Sequence, residues 1–366
     1  MRKDMIWVIV AGAIVGVLAV ILTKLGNPAN MGFCMACFER DIVGALGFFN
    51  WEKPAIAIRY IRPEIIGIML GGFLTALAYK EFKPRSGSAP ATRFILGIFM
   101  MIGALVFLGC PTRMVIRMGG GDLNAWVGLL GFIAGIGGGV LLLRQGFNLG
   151  RTTKARFSDG LVLPGIMVLL LLLVFLVPQF IAGGPILTSP AGHVGAGNSP
   201  VGPVLGIIIS LAAGLLVGYL GQRSRLCFAG GVRDVMIVNS WHLGIGLVAM
   251  FAVVLVGNAV MGNFGGENGL AWSFANQPVA HTAHAWNFLG MALVGLCAVL
   301  LGGCPFRQVI LAGNGNTDSV ITVLGMMAGA AVAHNFGLVK AATIYGQIAV
   351  VLGLVFCIVI ALKNRN

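Results

Sequence analysis

Two short stretches, GCPTR from Gly109 and GCPFR from Gly303, place a cysteine before a proline and an arginine three residues beyond the cysteine. A related pattern opens at two further cysteines. CMACFERD from Cys34 and CFAGGVRD from Cys227 both lead into an Arg-Asp pair, Arg40-Asp41 and Arg233-Asp234. A thiol is a weak donor and a soft, polarizable group, and a guanidinium offers fixed positive charge with forked donors. Together they suit a soft sulfur- or selenium-bearing anion better than phosphate or chloride. Arginines also favour the thiolate, which repels an anion, so a thiol path needs sulfur that keeps its proton part of the time.

The prolines Pro111 and Pro305 fit the first turn of a helix, where a missing N–H costs nothing. Each cysteine then stands near the cap of a short helix, and Arg113 and Arg307, about one turn on, share its face. Free N–H groups, a positive dipole end and a guanidinium would converge there as an anion site. Asp41 and Asp234 are candidates to pair with Arg40 and Arg233, or to cap helices.

The surrounding chain is that of an integral membrane protein. Its 366 residues are 58% hydrophobic and 10% charged, with a mean hydropathy of +0.96, far from soluble domains. Ten apolar runs fall at 5–25, 65–79, 94–109, 126–143, 161–182, 203–221, 241–261, 286–302, 320–337 and 341–362, most of them long enough to cross as helices. The first follows MRKD without an Ala-x-Ala cleavage pattern and reads as a retained helix. The basic segments around YKEFKPR, LLLRQGFNLGRTTKAR, GQRSR and KNRN fall on one side if each run crosses once, whereas the loops at 183–200 and 262–285 carry no Lys or Arg. The positive-inside rule then places both termini in the cytoplasm.

The cysteine motifs repeat. Cys34, Arg40 and Asp41 match Cys227, Arg233 and Asp234 at one offset, and Cys110, Pro111 and Arg113 match Cys304, Pro305 and Arg307 at an offset one residue longer. About five crossings separate equivalent points, and an odd number inverts one half against the other. The expected fold is therefore all-α and polytopic, with residues 1–182 as a first repeat, 183–200 as linker and 201–366 as an inverted second repeat. The Cys34 and Cys110 turns would open from outside, the Cys227 and Cys304 turns from inside, and all four would dip toward a shared path. Whether DIVGALGFFNW from Asp41 returns to its own side or crosses stays open at this level.

Other chemistries fit less well. Seven cysteines, an odd number, do not make a disulfide framework, and Cys297 and Cys357 read as small apolar residues. Cys34 and Cys37 form a C-x-x-C that a membrane thiol oxidoreductase could use, but Cys37 has no counterpart in the second half. A Cu(I)-type soft metal would want thiolates and thioethers, yet arginines flank these cysteines and the 16 methionines are scattered. His281 and His284 lack a further metal ligand in sequence, and His334 alone of His193, His242, His281, His284 and His334 sits where a proton role is conceivable. No phosphate-binding G-x-x-x-x-G-K-[ST] loop occurs, and no enzyme activity, cofactor, metal or nucleic-acid partner is expected.

At the cysteine turns, and through both halves, the chain resembles the YeeE/YedE sulfur-transport family. RLCFAGGVRD and GGCPFR resemble the branch described as selenium transporters. That resemblance implies a transporter of the bacterial inner membrane, importing a small selenium- or sulfur-containing anion, with thiosulfate as the alternative substrate and a cytoplasmic sulfur or selenium carrier protein as a further partner. It also implies Cys34, Cys110, Cys227 and Cys304 as the conducting cysteines, with Cys37 able to share the role of Cys34.

Overall fold

The computed structural model describes residues 2–49, 60–176, 202–265, 270–339 and 343–365. The inter-repeat linker expected at 183–200 lies outside them, as does His193. Among the described residues the helices are joined by turns and loops, and the strands form one two-residue antiparallel pairing, β1 (Arg85–Ser86) with β2 (Thr153–Lys154). The first seven helices are α1 (Arg2–Lys24), α2 (Met35–Ala45), α3 (Pro63–Ala78), α4 (Pro90–Phe107), α5 (Pro111–Gly119), α6 (Leu123–Arg144) and α7 (Phe157–Leu176). The next seven are α8 (Pro203–Ser224), α9 (Phe228–Val238), α10 (Gly244–Val260), α11 (His284–Leu300), α12 (Pro305–Gly313), α13 (Thr317–Asn335) and α14 (Ile344–Lys363).

Each group of seven repeats one order: a long helix, a short helix opened by a cysteine, two longer helices, a second short helix opened by Cys-Pro, and two long helices. Each of the ten apolar runs overlaps one of the longer helices. Eight helical stretches are long and apolar enough to cross a bilayer, and α3 and α10 are shorter apolar helices. Pro63, Pro90, Pro111, Pro203 and Pro305 each occupy a first turn, where proline is preorganised and loses no hydrogen bond. Asp122 and Asn316, at matching places, cap α6 and α13.

The most extensive packing joins the two groups. Helix α6 lies along α11, α3 along α8, α4 along α13, α1 along α10, and α4 meets α11. Glycine permits this closeness. A Cβ on Gly131 would fall 2.0 Å from the Phe288 carbonyl oxygen, and one on Gly135 1.9 Å from that of Ala292. In lipid, where apolar side chains gain nothing from leaving water, such backbone proximity is the main source of helix association.

Connections fix which helix ends share a face. Arg85 pairs with Lys154 and donates its backbone N–H to Gly315, Asn148 donates to Asn364, and Arg223 pairs with Glu81. These ends form the basic face. On the opposite face Leu123 donates to Ser273 and Asn335 to the Phe48 carbonyl at 2.9 Å. Helix α2 therefore returns to the face where α1 ends, so the segment from Asp41 through Phe49 does not cross. Helix α9 behaves likewise on the basic face, where Arg144 reaches the Met236 carbonyl. Each helix of the first group runs opposite to its counterpart in the second.

Candidate functional site: two thiol pairs at crossed helix starts

In the first group the Cys34 thiol caps α2 by accepting the Cys37 backbone N–H at 3.4 Å. It lies beside the Cys110 thiol, which in turn lies against the backbone of Met35 and Arg113. The second group reproduces this. Cys227 caps α9 by accepting from the Gly230 N–H at 3.3 Å, its sulfur is 3.8 Å from that of Cys304, and Cys304 lies against the backbone of Phe228 and Arg307. All four thiols are buried. In each group, then, two cysteines meet where the N-termini of two short helices converge, a place whose partial positive charge favours an anion.

The four cysteines thus form two pairs, each within its own group. Between the two sites, the short helices that carry them also touch, α2 with α12 and α5 with α9. Cys37 belongs to the first site, since Arg113 donates to its sulfur at 3.4 Å. Arg113 also donates to the carbonyls of Asn30 at 2.9 Å and Val279 at 3.3 Å. It has no carboxylate partner among the described residues. Arg307 donates to the Gly221 carbonyl at 3.2 Å and likewise has no carboxylate in an ion pair. The Arg-Asp pairs form as hydrogen bonds between neighbours, Arg40 to Asp41 at 2.8 Å and Arg233 to Asp234 at 2.9 Å.

Several buried charges near the first site went unremarked in the sequence. Arg62 donates to the same Asp41 carboxylate and lies over the rings of Phe38 and Tyr60, 4.9 and 4.2 Å from their centroids. Arg117 pairs with Asp122 at 2.6 Å and lies 4.3 Å from the Phe107 ring centroid. Glu39 is buried with neither carboxyl oxygen hydrogen-bonded. The legible signal was the presence of charge inside apolar sequence, which is costly in a membrane and rarely idle. None of these three has a charged counterpart at the offsets of the repeat: Val232 stands opposite Glu39 and Leu311 opposite Arg117.

The remaining candidates fall elsewhere. Cys297 and Cys357 pack against each other, sulfurs 3.5 Å apart, between α11 and α14. The His281 Nε2 is 2.7 Å from the Val106 carbonyl oxygen, and burial holds that imidazole below its usual pKa. His284 packs edge-on against Phe274, and His334 stacks on Phe49. No group of three or more metal-ligating side chains occurs among the described residues.

Comparison with known proteins bears on the second group. The family model described as "Sulphur transport" matches residues 223–359, a stretch that contains Cys227, Arg233, Asp234, Cys304 and Arg307. The chain is also similar to the thiosulfate transporter TsuA of Escherichia coli (strain K12), with 30% identity over 130 residues. That alignment covers 34% of this chain and 34% of the relative, so the chain spans about a third of the length of the curated protein it matches.

Proposed function

We propose, from the match of residues 223–359 to the family model described as sulphur transport, that the chain carries a small sulfur-containing anion across a membrane along the two thiol pairs. The carrying observation is the doubled construction of Cys34 with Cys110 and Cys227 with Cys304, each at crossed helix N-termini. The anion is passed by S–H to sulfur contacts from one pair to the other. Arg113 and Arg307, unengaged by carboxylates, supply the balancing charge, while Asp41 and Asp234 hold Arg40 and Arg233 in place.

In this reading residues 1–182 and 201–366 are inverted repeats joined through 183–200, and the basic face is cytoplasmic. Cys34 and Cys110 then serve the outer mouth and Cys227 and Cys304 the inner. Thiosulfate is the leading substrate, supported by the similarity to a thiosulfate transporter. A selenium analogue is the runner-up on the same thiol chemistry and on the resemblance of RLCFAGGVRD and GGCPFR to the selenium branch. A cytoplasmic carrier protein would receive the product.

The test is uptake into proteoliposomes of purified protein offered thiosulfate, selenosulfate and selenite in parallel, with Cys304→Ala as control. Cysteine-dependent uptake with thiosulfate preferred is the expected result. A preference for a selenium species would move the substrate, and no uptake of any would overturn the transport reading in favour of thiol redox chemistry at Cys34 and Cys37.

A further inference from the structure

Among the described residues the first group buries four arginines, Arg40, Arg62, Arg113 and Arg117, and four carboxyl groups, Glu39, Asp41, Glu64 and Asp122. Three of the carboxyls have a guanidinium beside them: Asp41 has Arg40 and Arg62, Glu64 has Arg62 at 3.7 Å, and Asp122 has Arg117. Glu39 has neither an ion pair nor a hydrogen bond. An ionised carboxylate cannot be held unpaired in such a place, and the group takes up a proton instead. With Glu39 neutral the buried set carries one net positive charge, and Arg113 of that set donates to the Cys37 thiol. With Glu39 ionised that excess is gone.

The second group shows what the same helix looks like when less enclosed. Helix α2 is buried along its length, whereas α9 is buried only through Gly231. Arg233 and Asp234 are 30% and 27% exposed, against 8% and 0% for Arg40 and Asp41. Val232, the counterpart of Glu39, is half-buried. In an inverted repeat the two halves exchange such environments as access alternates. Opening of the first half would then carry Glu39 into the setting Val232 now has, where water reaches it and the proton can leave.

We propose that Glu39 is a proton-binding site that links a proton to the closed, anion-holding state of the Cys34–Cys110 half. This rests on the inverted-repeat reading above but not on the identity of the anion. The proton is taken up as α2 closes and released as it opens, so the closed state is favoured at low pH and lost as pH rises. Other titratable or charged groups border α2. On α2 itself these are Cys37, Arg40 and Asp41, and the elements packed against it carry Tyr60, Arg62 and Glu64 at the start of α3, Arg93 on α4, Arg307 on α12, and Asp318 and His334 on α13. None of them hydrogen-bonds Glu39, and a variant at Glu39 separates its titration from theirs.

The experiment needs no substrate. Purified protein is labelled with a membrane-impermeant maleimide across a pH series, and modification of Cys34 and Cys110 is read by mass spectrometry in wild type, Glu39→Gln and Glu39→Val. The thiol titration that the proteins share cancels in the ratio, and any direct effect of an ionised Glu39 on the thiols would raise their pKa and slow labelling, opposite in sign to the expected climb. The expected result is that wild-type labelling relative to Glu39→Gln climbs with pH, by up to about tenfold per unit for one linked proton, while Glu39→Val follows Glu39→Gln. Parallel profiles for wild type and both variants would overturn the proposal. Failure of anion uptake with the wild-type labelling shift intact would count against the substrate reading alone.

Discussion

The two thiol sites share a plan and differ in what surrounds it. Around Cys34 and Cys110 the chain packs buried ion pairs and a helix buried along its length; around Cys227 and Cys304 the matching helix is half-open and the matching Arg-Asp pair reaches solvent. What recurs at both is two thiols, two helix starts and an arginine, the set that the proposed function uses to hold an anion. What occurs once adjusts a particular half. Burial makes Arg40, Arg62 and Asp41 of the first site interdependent, whereas the second site's pair is partly exposed and screened.

The largest effect expected from this comparison is on transport. Cys110→Ala and Cys304→Ala should each reduce thiosulfate uptake to the level of empty liposomes while both proteins purify folded. Full uptake by both would remove the thiol path, and loss in only one would confine it to one half.

Stability should separate the halves next. Asp41→Ala leaves Arg40 and Arg62 buried without a carboxylate between them and should cost about 3–5 kcal/mol. Asp234→Ala removes a partly exposed pair and should cost less than about 1 kcal/mol. Thermal unfolding of the two variants in one detergent decides it, and similar melting temperatures would show that the difference in burial carries no energetic weight.

A smaller effect is expected at Arg307. Arg307→Ala should weaken thiosulfate binding by about tenfold or more, as for loss of a charge-assisted hydrogen bond worth roughly 1.5–3 kcal/mol. Arg307→Lys should weaken it less, because the charge stays while the fork is lost. Equal losses would reduce the residue's role to geometry, with charge irrelevant.

The recurring parts were legible in the sequence because local chemistry fixes them. Pro111 and Pro305 announce helix starts, the ten apolar runs announce the longer helices, and the fixed offsets between cysteines announce the repeat. The pairing of Cys34 with Cys110 was not legible, because it depends on how a short helix of eleven residues turns back beside another one some seventy residues away. The role of Arg62 escaped for the same reason: its partner Asp41 is brought to it only by tertiary packing. The poor alignment between the cysteine turns also has a physical source. The longer connection precedes α3 in the first group and follows α10 in the second, on the same face, so equivalent helices are displaced in sequence while remaining equivalent in packing.

The most direct test of the central account, that both thiol pairs lie on the path of one anion, is protection from labelling. Purified protein in detergent, where both faces are accessible, is treated with a small thiol reagent with and without saturating thiosulfate, and each cysteine is read by mass spectrometry. The account predicts that thiosulfate slows modification of Cys34, Cys110, Cys227 and Cys304 and leaves Cys297 and Cys357 unaffected. Protection of neither pair, or equal change at all six cysteines, would contradict it.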